Sequence, residues 1–115
     1  MEMSAEMREC AQSCIDCYRC CTEMQMNCME MADCDAKMMR TMMDCAQMCN
    51  MCADFMMRGS DMAMKMCGMC AEMCNTCASM CESMAKGNQM MMNCAKECRR
   101  CAELCTKMAK KAVAA

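Results

Sequence analysis

Nineteen cysteines and 26 methionines among 115 residues make sulfur the reactive element of this chain. The densest run, CGMCAEMCNTCASMC from Cys67 to Cys81, places Cys67, Cys70, Cys74, Cys77 and Cys81 at steps of 3, 4, 3 and 4, and Met84 continues the series. Three other stretches repeat the alternation. Cys10, Cys14, Cys17, Cys21 and Cys28 step by 4, 3, 4 and 7, with Met24 in the skipped place. Met38, Met42, Cys45, Cys49, Cys52 and Met56 form the second series, and Met91, Cys94, Cys98, Cys101, Cys105 and Met108 the last. Soft thiolates select Cu(I), zinc or iron-sulfur clusters. A CxxxC or CxxC pair on one helix brings two sulfurs within reach of one ion, and facing helices supply more.

Steps of 3 and 4 are the a/d stripe of a helix that faces the centre of a bundle. The chain has no proline, and Ala, Met, Glu, Lys, Gln and Arg dominate it, all strong helix formers. Two breaks stand out. In Arg58-Gly59-Ser60-Asp61, Gly59 suits the left-handed position after a helix and Ser60 or Asp61 suits the cap of the next; Lys86-Gly87-Asn88 repeats the logic. A weaker break lies in Met31-Ala32-Asp33-Cys34-Asp35, where only the two aspartates offer caps. The chain therefore reads as one all-α domain of helices at about 3–31, 34–58, 61–86 and 88–111. Short connections make these rods antiparallel neighbours, an up-down-up-down four-helix bundle with a cysteine-lined core. Every cysteine except Cys20 and Cys34 then points inward.

The core this predicts is made of sulfur. Leu104, Ile15, Val113, Phe55 and Tyr18 are each the only residue of their type. For the methionines an a/d stripe means flexible core filling. For the cysteines it means chemistry, because Leu, Ile and Val pack better, do not oxidise, and are absent from the seam. Among the methionines preceding cysteines, Met66, Met73 and Met80 fall at flanking positions that pack against neighbouring helices, and Met84 stays on the stripe.

Charge and composition exclude several classes. The 13 basic and 15 acidic residues are dispersed and give a net charge of −2, so neither nucleic acid nor an anionic membrane surface is indicated. No apolar window approaches the roughly 18 residues of a membrane span, and the start, MEMSAEMREC, lacks the pattern of an export signal. A soluble, cytoplasmic protein is expected, with a mature exported form whose signal has been removed as the alternative. A disulfide scaffold is disfavoured by the odd cysteine count, the scarcity of Pro and Gly, and the helical spacing. Helix neighbours three or four apart lie about 5–6 Å apart at Cβ, too far for a disulfide's roughly 3.8 Å.

Charge also separates the metals. Zinc in a four-thiolate site leaves a net −2, which a buried seam without Lys, Arg or His tolerates poorly. A Cu(I) ion that displaces one thiol proton is neutral, so a column of shared sites can fill along its length, to a capacity near the cysteine count. The chain has no histidine, a common zinc ligand. The candidate ligands are Cys10, Cys14, Cys17, Cys20, Cys21, Cys28, Cys34, Cys45, Cys49, Cys52, Cys67, Cys70, Cys74, Cys77, Cys81, Cys94, Cys98, Cys101 and Cys105. Cys20 is a flank ligand or a surface thiol; Cys34 is an extra ligand near one end or a bystander. Antiparallel packing gathers Met42, Met84 and Met91 at one end, a thioether mouth of weak and labile sites, with Met56 and Met108 at the other.

The runs CAQSCIDCYRCC, CAQMCNMC, CGMCAEMCNTCASMC and CAKECRRCAELC resemble those of the copper storage proteins, cysteine-lined four-helix bundles. The resemblance extends from about Cys10 to Met108. It implies storage of multiple Cu(I) ions on seam thiolates, no catalysis, copper chaperones or efflux proteins as partners, and a homo-oligomer, a tetramer, of bundles. Family members often carry His near the mouth, where this chain reads Met90-Met91-Met92.

Two other readings share the thiols. A metallothionein-like zinc or cadmium buffer favours four-coordinate clusters on an irregular chain. An iron-sulfur carrier needs a few isolated four-cysteine sets rather than continuous stripes. An enzyme is the weakest reading, since there is no His for acid-base work and no cysteine stands apart as a nucleophile.

Overall fold

Ser4 opens the first helix by accepting the Met7 N–H at 3.1 Å, and α1 runs Ala5–Met29. Asp35 caps α2 (Ala36–Met57), its carboxylate accepting the N–H groups of Lys37 at 2.7 Å and Met38 at 3.3 Å. Gly59, at φ 69°, ends α2. Its N–H meets the Met56 carbonyl at 3.1 Å while the Ser60 N–H meets that of Phe55 at 2.9 Å, the paired bonds of a Schellman turn. Ser60 then takes the Met62 N–H at 3.1 Å, a single turn follows, and α3 begins at Ala63, two residues later than the spacing predicts. After α3 (Ala63–Met84), Lys86 and Gly87 both have positive φ, and Asn88 accepts the Met91 N–H at the start of α4 (Gln89–Ala114).

The computed structural model describes residues 3–32 and 34–114, with the side chains of 112–114 left undescribed; Asp33 of the weak break and the side chain of Val113 lie outside this set. The four helices form an antiparallel bundle 48 × 21 × 21 Å. Each helix packs on its two sequential neighbours, α4 closing on α1. Neither diagonal pair is in backbone contact among the described residues. The centre is thus left to side chains.

Those side chains are cysteine, methionine and alanine. Every cysteine on the four stripes is buried, as are Met24, Met38, Met42, Met56, Met91 and Met108. Ser13 is the only buried polar residue described, and it bonds the Cys10 carbonyl at 2.7 Å. The alanine that follows Cys10, Cys45, Cys52, Cys70, Cys77, Cys94 and Cys101 is buried each time, so this small side chain lies beside the seam and lets adjacent helices approach. Met66, Met73 and Met80 are half-buried against this core. On the outside, Arg99 of α4 reaches α3, bonding Glu82 at 2.8 Å, Asn75 at 2.9 Å and Ser79 at 3.1 Å. No helix is long and apolar enough to cross a membrane among the described residues.

Candidate metal centre

The seam brings thiols from different helices into contact. Cys10 and Cys14 of α1 lie 3.6 and 3.7 Å from Cys105 of α4, and Cys17 lies 3.5 Å from Cys98. Across the bundle, Cys49 of α2 lies 3.4 Å from Cys74 and 3.8 Å from Cys70 of α3. Cys45 joins the halves, at 4.0 Å from Cys17 and 3.9 Å from Cys74.

These contacts build five sets whose sulfurs all lie within 4.8 Å of one another: Cys10, Cys67 and Cys105; Cys14, Cys70, Cys101 and Cys105; Cys49, Cys70, Cys74 and Cys101; Cys17, Cys45, Cys49 and Cys74; and Cys17, Cys21, Cys45 and Cys98. Consecutive sets share members, so the column is continuous. Cys52 joins it at 3.7 Å from Cys67, and Cys94 at 3.7 Å from Cys21. Cys77 and Cys81 are buried near the other end, where their thiols interact with each other. Met56, which the spacing placed on the stripe but not among the ligands, has its thioether 3.7 Å from the Cys67 thiol.

Three expected ligands sit differently. Cys28 and Cys34 are joined in a disulfide. The bond becomes possible because Cys34 lies beyond the end of α1, in the link to α2, free of the helical spacing that keeps seam thiols apart. While it stands, neither residue offers a thiolate, and Cys28, buried on the α1 stripe, is withdrawn from the ligands. Met84 is half-buried. It is the last residue of α3, and Ala85 takes the buried position instead. Met42 and Met91 are buried at that end as expected.

No lysine, arginine or carboxylate belongs to this core. Its protons are distributed by the thiols themselves. Hydrogen bonds with Cys17 and Cys20, reinforced by burial, push the Cys21 thiol well above its ordinary range, and bonds with Cys10 and Cys101 do the same to Cys105. Cys45 and Cys101 are pushed down, chiefly by their bonds with Cys17 and Cys105 respectively. The column therefore mixes thiols pushed up with thiols pushed down, and a cation entering it replaces protons.

Sulfur spacing does not name that cation. A tetrahedral zinc-thiolate site, with Zn–S about 2.3 Å, sets its sulfurs about 3.8 Å apart, which the column also offers. Sharing does discriminate. Cys17, Cys45, Cys49, Cys70, Cys74, Cys101 and Cys105 each belong to two sets, so isolated four-thiolate sites cannot all fill at once, whereas ions with few ligands and bridging thiolates can.

Residues 3–110 match the family described as copper storage protein. The chain belongs to the copper storage protein family. Solved structures of the same fold include copper storage proteins. A Cu(I)-bound copper storage protein of Bacillus subtilis is 28% identical over 90% of this chain and 98% of its own, with a TM-score of 0.85. A cytosolic copper storage protein from Streptomyces lividans loaded with five coppers is 26% identical over 91% and 92%, with a TM-score of 0.86. The Nmul_A1745 protein from Nitrosospira multiformis is 42% identical over 91% and 95%, with a TM-score of 0.84. No curated protein sequence matches the chain. Membership accounts for the charge-poor sulfur column, and the architecture read from the spacing is the architecture of these relatives.

Proposed function

We propose that this chain is a single copper-storage domain that holds many Cu(I) ions along its axis on cysteine thiolates, with methionine thioethers at the ends. The observation that carries the reading is the overlap of the sulfur sets within a core that contains no counter-charge. Each Cu(I) bound with loss of one thiol proton leaves the core neutral, and each bridging thiolate serves two ions. The ligands in this reading are the free seam cysteines, with Cys20 at the flank and Met42, Met84 and Met91 towards one end. Cys28 and Cys34 join them only after reduction.

The relatives support the cargo. Structures of the Streptomyces lividans protein carry five coppers and ten copper equivalents. The cytosolic Streptomyces lividans relative supports action in the cytoplasm, and the sequence resemblance carries the rest of the proposal: a homo-oligomer, a tetramer, exchanging copper with chaperones or efflux proteins, for storage or detoxification and without catalysis.

An anaerobic Cu(I) titration of the reduced chain against a competing chelator, repeated with Zn(II), tests this. Tight Cu(I) binding to a capacity near the number of free thiols is expected. Saturation at about four or five zinc ions, one per four thiolates, with weak Cu(I) binding overturns it in favour of a zinc or cadmium buffer.

A further inference from the structure

Seam sulfur meets solvent along one flank of the bundle. Cys20 is the one free cysteine described that is not buried. It precedes Cys21, and at 3.6 residues per turn the two side chains leave α1 about 100° apart, one towards the axis and the other towards the junction with α4. Cys20, Glu23, Met90, Cys94 and Glu97 line a surface groove along that junction, together with Arg19 and its ion-pair partner Asp16. Cys94 is the inner member, 1% exposed, and Met90 the outer, 45% exposed.

From this groove a sulfur path leads inward. Cys94 lies 3.7 Å from Cys21, Cys21 lies 3.9 Å from Cys98, and both Cys21 and Cys98 belong to a set in the central column. The groove also holds a carboxylate oxygen lacking a partner. Glu97 Oε2 is buried and accepts no hydrogen bond among the described residues. Arg19 makes its ion pair with Asp16, and Arg100 with Asp16 and Glu9, and both reach Glu97 only through space. Two thiols and a thioether in one groove are the donor set of a soft cation site, with the Glu97 carboxyl beside them.

We propose that this groove is a side port, a surface Cu(I) site formed by Cys20 and Cys94 through which ions pass between a thiol-bound donor outside and Cys21 inside. The proposal rests on the copper-storage reading and gives it a route through the wall, separate from the methionine-lined end. Transfer is ligand exchange without redox change. As the Cu–S bond to Cys20 forms, one Cu–S bond to the donor breaks, and the Cys20 proton goes to the departing donor thiolate. A second exchange brings in Cys94 in the same way. Cys21 then displaces Cys20 from the ion and gives Cys20 its proton, and Cys98, 3.9 Å from Cys21, displaces Cys94 in the same way, so that both port thiols are protonated again for the next ion. Glu97 and Met90 at the groove favour the cation without being consumed.

Stopped-flow loading of the full, reduced apo chain from Cu(I)-glutathione tests the port, comparing wild type with Cys20→Ser and Glu97→Gln and checking helicity in each. Cys20→Ser is expected to slow uptake by at least about threefold while final capacity falls by no more than about one ion, and Glu97→Gln to slow it less. Uptake by Cys20→Ser at the wild-type rate overturns the proposal. Brief alkylation of the wild-type chain, mapped by mass spectrometry, gives a second readout that needs no variant. Cys20 is expected to be labelled in the apo chain and protected after Cu(I)-glutathione loading, and equal labelling in both states overturns the port. Absence of Cu(I) uptake by the wild type is a different outcome, which removes the storage reading itself.

Discussion

Single cysteines differ in how many ions they serve. Cys49 belongs to two sulfur sets, with Cys74 at 3.4 Å and Cys70 at 3.8 Å, whereas Cys52 belongs to none and lies 3.7 Å from Cys67. Cys49→Ala is therefore expected to remove more Cu(I) than Cys52→Ala, measured by titration against a chelator. Each loses a buried sulfur, so each costs the apo bundle about 1 kcal/mol, read from thermal melts. The end methionines act on rate instead. Replacing Met42, Met84 and Met91 together by Leu keeps the apolar volume and deletes the thioether sulfur, so slower uptake with the thiolate-held capacity retained is expected. Uptake at the wild-type rate would rule out a mouth at that end. Spacing alone placed these residues correctly on their faces, but the half-burial of Met84 was not legible, because it depends on α3 ending there.

At the scale of helices, the ends follow backbone chemistry. The breaks at Gly59 and Gly87 were legible because both glycines adopt the left-handed conformation a stop requires, at φ 69° and 87°. The first break was blurred, since Asp35 is a capping residue with no glycine before it, and α1 ends at Met29, two residues short of expectation. Two glycine substitutions should act in opposite directions. Gly59→Ala forces a Cβ into a positive φ and is expected to destabilise by about 1 kcal/mol. Gly68 lies inside α3, where an added Cβ meets only Ala109 Cβ at 3.8 Å, so Gly68→Ala is expected to stabilise by about 0.5–1 kcal/mol. Denaturant midpoints of the two variants against wild type check both signs. The repeated Cys-Ala pairs were equally visible in the sequence. Their role emerged only when the alanines were seen buried beside the seam.

For the whole molecule, the sulfur column links proton uptake to stability. Cys14, Cys21, Cys49 and Cys105 are pushed above their ordinary range by bonds to neighbouring thiols and by burial. In the unfolded chain these groups lose their protons near pH 8.5, while folded they keep them. Their contribution is complete below that pH and is lost as the pH rises, at about 1.4 kcal/mol per unit for each proton retained. Cys10, Cys20, Cys45, Cys52, Cys70, Cys81, Cys98 and Cys101 have the opposite sign, but a core without cations cannot hold many thiolates, so the protonated members prevail. The reduced apo bundle is expected to melt at progressively lower temperature from pH 8 to pH 10. In the copper-loaded bundle the displaced protons are already gone, so that slope flattens and acid becomes the destabilising condition. Melting curves of both forms across pH 5 to 10 check the reversal. Circular dichroism of the apo chain should still show four helices at pH 7, because protonated thiols pack as apolar groups.

By itself the sequence determined the helices, their antiparallel order and the inward faces, since each follows from local periodicity and from glycine or aspartate at the ends. It also set the softness of the ligands and the lack of counter-charge, which are properties of residue type. Only the tertiary structure decided which thiols share an ion. Contacts such as Cys17 with Cys98 depend on how far one helix slides against another, and a shift of one turn would pair different sulfurs. It alone joined Cys28 to Cys34 and set Cys20 in a groove beside Glu97 and Met90, because the residues of each group come together through a chain turn or helix packing rather than through periodicity.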